Sequence, residues 1–216
     1  MSIPANSQID PEISEIFFSI QGESSYAGRP CIFIRFSDCN LNCTYCDTRY
    51  AFSTGKKTPI ATILSEIAKY PSKLVEITGG EPVLQEEATD ALFTALNAAG
   101  YTILLETNGS LYLGDIPDYV VKIVDVKTPG SGFGESFMKW NLKFLNEQDE
   151  LKFVITSPYD YSFAREFIET NALRDRMIHF SPYTLTLPAQ TLAEWILRDG
   201  LPVRLHLQLH KLLNVR

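Results

Sequence analysis

Hydrophobic and polar positions along the chain alternate between short apolar runs and segments with a helical repeat. The runs at 32–36, 74–78, 102–106, 121–125, 151–155 and 177–181 read as β-strands. Several are continuously apolar, as strands covered on both faces of a parallel sheet should be. An earlier stretch, 15–20, is also predicted to be extended. Thr58 is placed to cap a helix with Pro59 at its first position, and Ile60, Ile63, Leu64, Ile67 and Ala68 make its single apolar stripe. A second helix carries Ala88, Leu92, Ala95, Leu96 and Ala99, with Gly100 positioned to end it. A third starts at Ser157-Pro158 and runs through Tyr161, Ala164 and Ile168, and a fourth begins near Pro188 and holds Leu192, Trp195 and Ile196. The stretch 137–146 reads as a short extra helix.

Strands and helices in this order predict an α/β fold. A complete (β/α)₈ barrel typically takes ~250 residues. With 216 residues, the chain is expected to form an incomplete (partial) TIM-like barrel of about six βα units. One domain over 1–216 is expected, since no linker, internal repeat or low-complexity stretch interrupts it. The segment Gly130-Ser131-Gly132-Phe133-Gly134 reads as a flexible loop and not as a dinucleotide fingerprint, because no strand leads directly into it.

Composition narrows the classes. Hydrophobic residues are 45% and charged residues 21%, an ordinary globular balance that excludes a disordered tail, a collagen or a coiled-coil rod. No apolar run reaches the ~18 residues of a membrane span, and the first residues show no signal peptide, so a cytoplasmic protein is expected. The net charge of −7 speaks against general affinity for nucleic acid or an acidic membrane, while leaving room for a small basic pocket.

In open α/β sheets and barrels, ligands bind beyond the carboxyl ends of the strands. Polar groups gather at those ends here: Ser37-Asp38, Thr78-Gly79-Gly80-Glu81-Pro82, Glu106-Thr107-Asn108-Gly109, Asp125-Val126-Lys127 and Ser181-Pro182-Tyr183. The Gly-Gly turn would let a ligand approach the backbone closely, although an ordinary tight turn would look the same, as would a solvated Glu106. The cysteines are the sharpest signal. Three of the four, Cys39, Cys43 and Cys46, fall within eight residues. A disulfide framework would spread them over a short secreted chain, and a closed structural zinc site would want a fourth ligand. Three thiolates suit a cubane iron–sulfur cluster with one iron left open to chelate a small molecule. Cys31, within an alternating apolar run, reads as a small buried hydrophobe; as a fourth ligand it is the weaker alternative.

These motifs carry a resemblance. Cys39-x3-Cys43-x2-Cys46 followed by Thr78-Gly79-Gly80-Glu81-Pro82 resembles the radical S-adenosylmethionine (SAM) superfamily. A narrower similarity, over almost the whole chain, is to the 7-carboxy-7-deazaguanine synthase family of the queuosine (7-deazapurine) pathway. It is carried by Phe18-Ser19-Ile20-Gln21-Gly22-Glu23, Arg35-Phe36, Cys46-Asp47-Thr48, Glu106-Thr107-Asn108-Gly109, Asp125-Val126-Lys127 and Gln208-Leu209-His210-Lys211. The resemblance implies a [4Fe–4S] cluster on Cys39, Cys43 and Cys46. The open iron would bind the amino and carboxylate groups of SAM, whose cleavage gives a 5′-deoxyadenosyl radical. It implies a lyase that contracts the ring of 6-carboxy-5,6,7,8-tetrahydropterin to 7-carboxy-7-deazaguanine with loss of ammonia, regenerating SAM and using Mg²⁺.

Residue by residue, the similarity places Tyr45, Cys46, Asp47, Gly80, Glu106, Asp125, Val126 and Lys127 at SAM, with Ser181, Pro182, Tyr183 and Thr184 closing that site. Ser181 departs from a glutamine common in the family and is too short to copy an amide. Ile20, Gln21, Gly22, Glu23, Arg35, Thr78 and the terminal Arg216 would face the pterin, and Thr48 would offer its hydroxyl to Mg²⁺. Arg35 would pair with the substrate carboxylate as a guanidinium fork; a strand-edge salt bridge is the plainer alternative. Thr48 read without the family is a cap or turn residue, and Arg216 a frayed end. No side chain is required as nucleophile, since the cofactor carries the hard chemistry. A homodimer and a flavodoxin or ferredoxin reductant are implied. Two rivals share part of the signal: an activase of a glycyl-radical enzyme, and a non-enzymatic iron–sulfur electron carrier.

Overall fold

A computed structural model of the protein describes residues 9–215. The strands are β1 (Glu12–Ile20), β2 (Pro30–Phe36), β3 (Lys56–Lys57), β4 (Leu74–Gly79), β5 (Thr102–Thr107), β6 (Val120–Asp125), β7 (Glu150–Ile155), β8 (Met177–Pro182) and β9 (Arg204–Leu205). The helices are α1 (Ile60–Ile67), α2 (Glu86–Ala98), α3 (Pro158–Thr170), α4 (Ala189–Asp199) and α5 (Leu209–Leu213). Together the strands form one nine-stranded sheet in the order β3-β1-β2-β4-β5-β6-β7-β8-β9. From β2 through β9 every neighbouring pair is parallel, whereas β1 and β2 form an antiparallel pair. The sheet stays open between edges β3 and β9, as a partial barrel does. No helix among the described residues is long and apolar enough to cross a membrane.

The alternation of side chains along a strand gives the sheet two unlike faces. Ile32, Ile34, Val75, Ile77, Ile103, Leu105, Phe153 and Phe180 face outward, into the main core. There they meet the stripes of the helices, including Ile63 and Ile67 of α1, Leu92 and Leu96 of α2, Ala164 and Ile168 of α3 and Leu192 of α4. The opposite face carries a smaller apolar cluster of Phe17, Cys31, Phe33, Leu74, Leu104, Val121 and Ile123. Cys31 is fully enclosed in it, and burial raises its thiol pKa far above the ordinary value. It is a core residue, apart from the other three cysteines.

Three local expectations are adjusted. Thr58 does not cap α1: its hydroxyl donates to the Lys56 carbonyl (2.9 Å) and its N–H to the Pro11 carbonyl (3.0 Å). The short strand β3 claims it, and Pro59, with its extended ψ of 136°, takes the position ahead of the helix. Ser157, by contrast, does cap α3, accepting from the Asp160 N–H. The alternation of strand and helix also lapses in mid-chain. No α-helix joins β5 to β6, and β6 reaches β7 through 3₁₀ turns at Pro129–Ser131 and Lys139–Phe144. Asn141 replaces the missing helices. It is fully buried, accepts from the Leu113 N–H (3.0 Å) and donates to the Gly109 and Leu111 carbonyls (3.0 and 2.7 Å).

The entry to β7 is pinned by a buried charge. Asp149 accepts from the backbone N–H of Lys122 (2.8 Å) and of Asn146 (2.7 Å), and one carboxylate oxygen lies 3.0 Å from the Lys122 ammonium. Both side chains are almost wholly enclosed. Replacing Asp149→Ala would strand the ammonium, and the expected loss is about 3–5 kcal/mol. Denaturant unfolding measures it; a loss below about 1 kcal/mol, the range of a surface pair, would contradict this account.

Candidate functional site

The inner face turns polar towards the carboxyl ends of the strands, and there a cavity of about 590 Å³ opens. Thr78 lies beside Arg35 across the β2–β4 pair, and both line the cavity, as do Glu76, Glu106, Asp125, Lys152 and Ser181 from neighbouring strands.

The loop after β2 brings Cys39, Cys43 and Cys46 to the cavity wall. Its path depends on the two glycines at the end of β4. A Cβ on Gly79, whose φ is +142°, would sit 2.3 Å from the Phe36 carbonyl oxygen, and one on Gly80 would sit 1.7 Å from that of Asp38. The Gly-Gly pair therefore admits the cysteine loop's own backbone, while Gly80 still lines the cavity. Glu81 is fully buried and works as a staple. Its carboxylate accepts from the Val83 N–H (3.1 Å), the Thr107 hydroxyl (2.8 Å) and the Asn108 N–H (2.7 Å). Asn108 in turn donates to Asn40 in the cysteine loop (3.1 Å). Burial raises the thiol pKa of Cys39 and Cys43, the ordinary state of such ligands before a metal displaces their protons.

Around this loop stand the other residues expected at SAM. The rings of Tyr45 and Tyr183 lie 5.6 Å apart. Asp47, Pro182 and Thr184 line the cavity as well. Lys127 holds Asp125 at 2.9 Å. Val126, between them, does not reach the cavity: strand alternation turns its side chain into the main core. It contributes backbone there, its N–H donating to the Lys152 carbonyl (2.8 Å). Thr48 stands ahead of a 3₁₀ turn without capping it through its side chain; its hydroxyl is 3.7 Å from the Cys46 sulfur.

The residues expected at the pterin converge from the end of β1. Ile20, Gln21, Gly22 and Glu23 all line the cavity. Gln21 donates to Glu76. Arg35 Nε donates to Glu15 at 2.9 Å, and its guanidinium lies 5.8 Å from the Phe17 ring centre, so the plainer alternative of a strand-edge salt bridge is present in a side chain that also lines the cavity. Arg216 lies outside the described residues. Helix α5 straps this end. The Leu209 N–H donates to the Gly22 carbonyl (3.0 Å), Gln208 donates to Glu23 (2.5 Å) and Lys211 pairs with Asp47 (2.8 Å). Gly22 lets α5 pack closely, since a Cβ there would lie 1.9 Å from the His210 ring unless that ring moved.

Sequence reasoning gave no site role to Lys152, Glu76, Gln208 or His210, all of which line the cavity. The signal existed for two of them. A lone lysine in Leu151-Lys152-Phe153 and a lone glutamate in Val75-Glu76-Ile77 are charges inside otherwise apolar strands, where a charge needs a reason. Lys152 pairs with Glu23 (2.7 Å), Glu106 and Asp125 (3.5 Å). Burial opposes its charge, but Glu106, Glu23 and Asp125 outweigh it and raise the ammonium pKa well above the usual value. Burial, and next the charge of Glu106, drive the Glu76 carboxyl pKa well upward.

The donor set fits a cluster with an organic ligand beside it. Cys39, Cys43 and Cys46 line one cavity, though the described residues do not gather three donors into a ready-made metal-ion site, and Asp125 Oδ1 and Ser181 Oγ are buried without a hydrogen-bond partner among the described residues, leaving an acceptor and a hydroxyl for a bound molecule.

Comparisons agree with this geometry. A family model described as the radical SAM superfamily matches residues 33–128. The chain is 47% identical to a 7-carboxy-7-deazaguanine synthase of Koribacter versatilis, over 93% of this chain and 95% of that relative. It is 43% identical to one of Chlorobaculum tepidum, over 92% of each. The crystal structure of QueE from Escherichia coli superposes with a TM-score of 0.74 at 23% identity, covering 95% of this chain and 99% of that one, which shows the shared fold.

Glu76 makes a pH test available. Its folded pKa lies above the ordinary 4.5, so the stability it contributes is fully present below that value and is lost as pH rises through the folded one. Glu76→Gln keeps an acceptor for Gln21 but cannot ionise. The variant should therefore gain on the native protein as pH rises above 4.5, read from urea unfolding at a series of pH values. Parallel stability curves would contradict the raised carboxyl.

Proposed function

The chain belongs to the 7-carboxy-7-deazaguanine synthase family of radical SAM enzymes, and from that premise we propose that it contracts 6-carboxy-5,6,7,8-tetrahydropterin to 7-carboxy-7-deazaguanine with release of ammonia. The observation that carries the proposal is one shared cavity. The three thiols of the cysteine loop and the Gln21–Glu23 segment open into the same 590 Å³ space, so a cluster held by those thiols would share one volume with a substrate held at Gln21–Glu23.

The reduced [4Fe–4S] cluster and SAM supply the hydrogen-abstracting radical. The chain's own residues do the rest, and their work is binding and exclusion of water. Cys39, Cys43 and Cys46 hold the cluster. Tyr45 and Tyr183 offer aromatic surface to the adenine. Asp47, Gly80, Glu106, Asp125 and Lys127 line the rest of the SAM pocket, which Ser181 to Thr184 close, and Val126 supports it from behind through its backbone bond to Lys152. Asp125 Oδ1 and Ser181 Oγ, left without partners among the described residues, serve as acceptor and hydroxyl for that ligand. Ile20, Gln21, Gly22, Glu23 and Thr78 take the pterin ring. Arg35, oriented by Glu15 through Nε, meets the substrate carboxylate with the rest of its guanidinium, and a role at the same substrate is proposed for Arg216. The Thr48 hydroxyl, beside Cys46, is an oxygen ligand for Mg²⁺, a hard cation that keeps several waters. α5 closes the pterin end, held by Lys211 to Asp47. Family membership supports a homodimer of single-domain chains, a cytoplasmic location and a flavodoxin or ferredoxin as electron donor.

Anaerobically reconstituted protein, given reductant, SAM and the carboxypterin, should yield 7-carboxy-7-deazaguanine by mass spectrometry. Cys43→Ala should lose both the cluster absorbance and the product. Turnover without a deazapurine product would overturn the assignment, as would full activity of the Cys43 variant.

A further inference from the structure

The three cysteines account for the cluster, but they leave unexplained a buried cation in the cavity wall. Lys152 is 4% exposed, and its three carboxylate partners come from both halves of the site. Glu23 arrives from the pterin-side segment after β1, while Glu106 and Asp125 arrive from β5 and β6 on the SAM side. Asp125 has a second cation, Lys127. Glu23 pairs through one oxygen with Lys152, and its other oxygen accepts from Gln208. One ammonium thus spans the boundary between the two ligands.

We propose that Lys152 is a positioning residue for the pterin, gripping Glu23 from the cofactor side so that its carboxylate stays ionised and aimed at the N–H edge of the ring. The inference rests on the function proposed above. A pterin presents its amino group and adjacent ring N–H as parallel donors, which a charged carboxylate accepts together and a protonated one does not. The surroundings press Glu23 in both directions. Burial and the acids Glu76 on β4 and Asp125 on β6 favour the neutral form, with Glu106 on β5 adding further negative charge at the same ammonium. Lys152 on β7 opposes them, aided by Gln208 and by His206 beyond β9, with His210 on α5 nearby. The balance holds the Glu23 pKa well below the usual carboxylate range, and Lys152 is the largest of the influences in that direction.

Lys152→Met removes the charge and keeps the bulk, whereas Lys152→Arg keeps the charge. The first readout needs no turnover. In pH-difference infrared spectra of the holo-protein, with the acid band assigned by Glu23→Gln, native Glu23 should stay ionised across about pH 5–8, and Lys152→Met should show it taking up a proton as pH falls in that window. Identical Glu23 spectra in native and Lys152→Met protein would overturn the proposal. The second readout is kinetic. Lys152→Met should raise KM for the pterin about tenfold or more with KM for SAM little changed, and the defect should shrink as pH rises; Lys152→Arg should restore much of the loss. Equal losses for both ligands at every pH would mark a merely structural lysine and overturn it. Circular dichroism checks folding, and Lys152→Gln carries the same comparison where the methionine variant does not fold. Native protein that ignores the pterin would defeat the assigned reaction, while the infrared titration would still decide whether Lys152 sets the charge of Glu23.

Discussion

A parallel strand has to be covered on both faces, and the whole molecule follows from how differently this chain meets that demand on each side. Outside, helices α1 to α4 cover the sheet with aliphatic stripes. Inside, the described residues supply no second layer of helices. The lower part of the inner face closes on itself through Cys31, Phe33, Leu74, Leu104, Val121 and Ile123. The upper part does not, and polar side chains at the strand ends surround a cavity instead. The apolar floor sets the depth of the site, and the unclosed rim provides its volume.

The cysteine loop is held by backbone packing as much as by its own sequence. Gly79 and Gly80 leave room for the Phe36–Asp38 backbone, and the Glu81 carboxylate ties the end of β4 to the start of the loop after β5. Asn108 and Asn40 carry that link into the cysteine segment. A motif that looks like a ligand contact is therefore also the frame that orients the thiolates. Placing a cluster to sub-ångström tolerance requires such a frame, because loops alone are the most mobile parts of a fold.

Charge inside the cavity is arranged around the same constraint. Buried carboxylates persist only when paired, and Lys152 and Lys127 are the cations that pair them. Glu76 meets the demand in the other way, by holding its proton to higher pH. The result is a pocket in which the Glu76 carboxyl keeps its proton to higher pH, while Lys152 and Lys127 pair the acids around them.

Local pattern was enough to place the major elements, because helix and strand periods and caps are written in neighbouring residues. The predicted run at 74–78 became Leu74–Gly79, and Ser157 capped its helix. The cysteine spacing and the Gly-Gly-Glu-Pro turn made the chemistry legible for the same reason. What local pattern could not reach were contacts between distant residues. Thr58 was diverted by a strand pairing with Glu12 and Ile13 that leaves no mark near position 58. Asn141 stands in for absent helices through bonds to Gly109, Leu111 and Leu113. Lys152 and Gln208 gain their partners only when β7 and the C-terminal strap converge on Glu23, across sequence separations of 129 and 185 residues. Local pattern marked the longer strands, though not the two-residue β3 and β9, and the loop with spacing suited to iron; which charges meet was settled only by the folded chain, because pairing energy depends on distance in space and burial rather than on order along the chain.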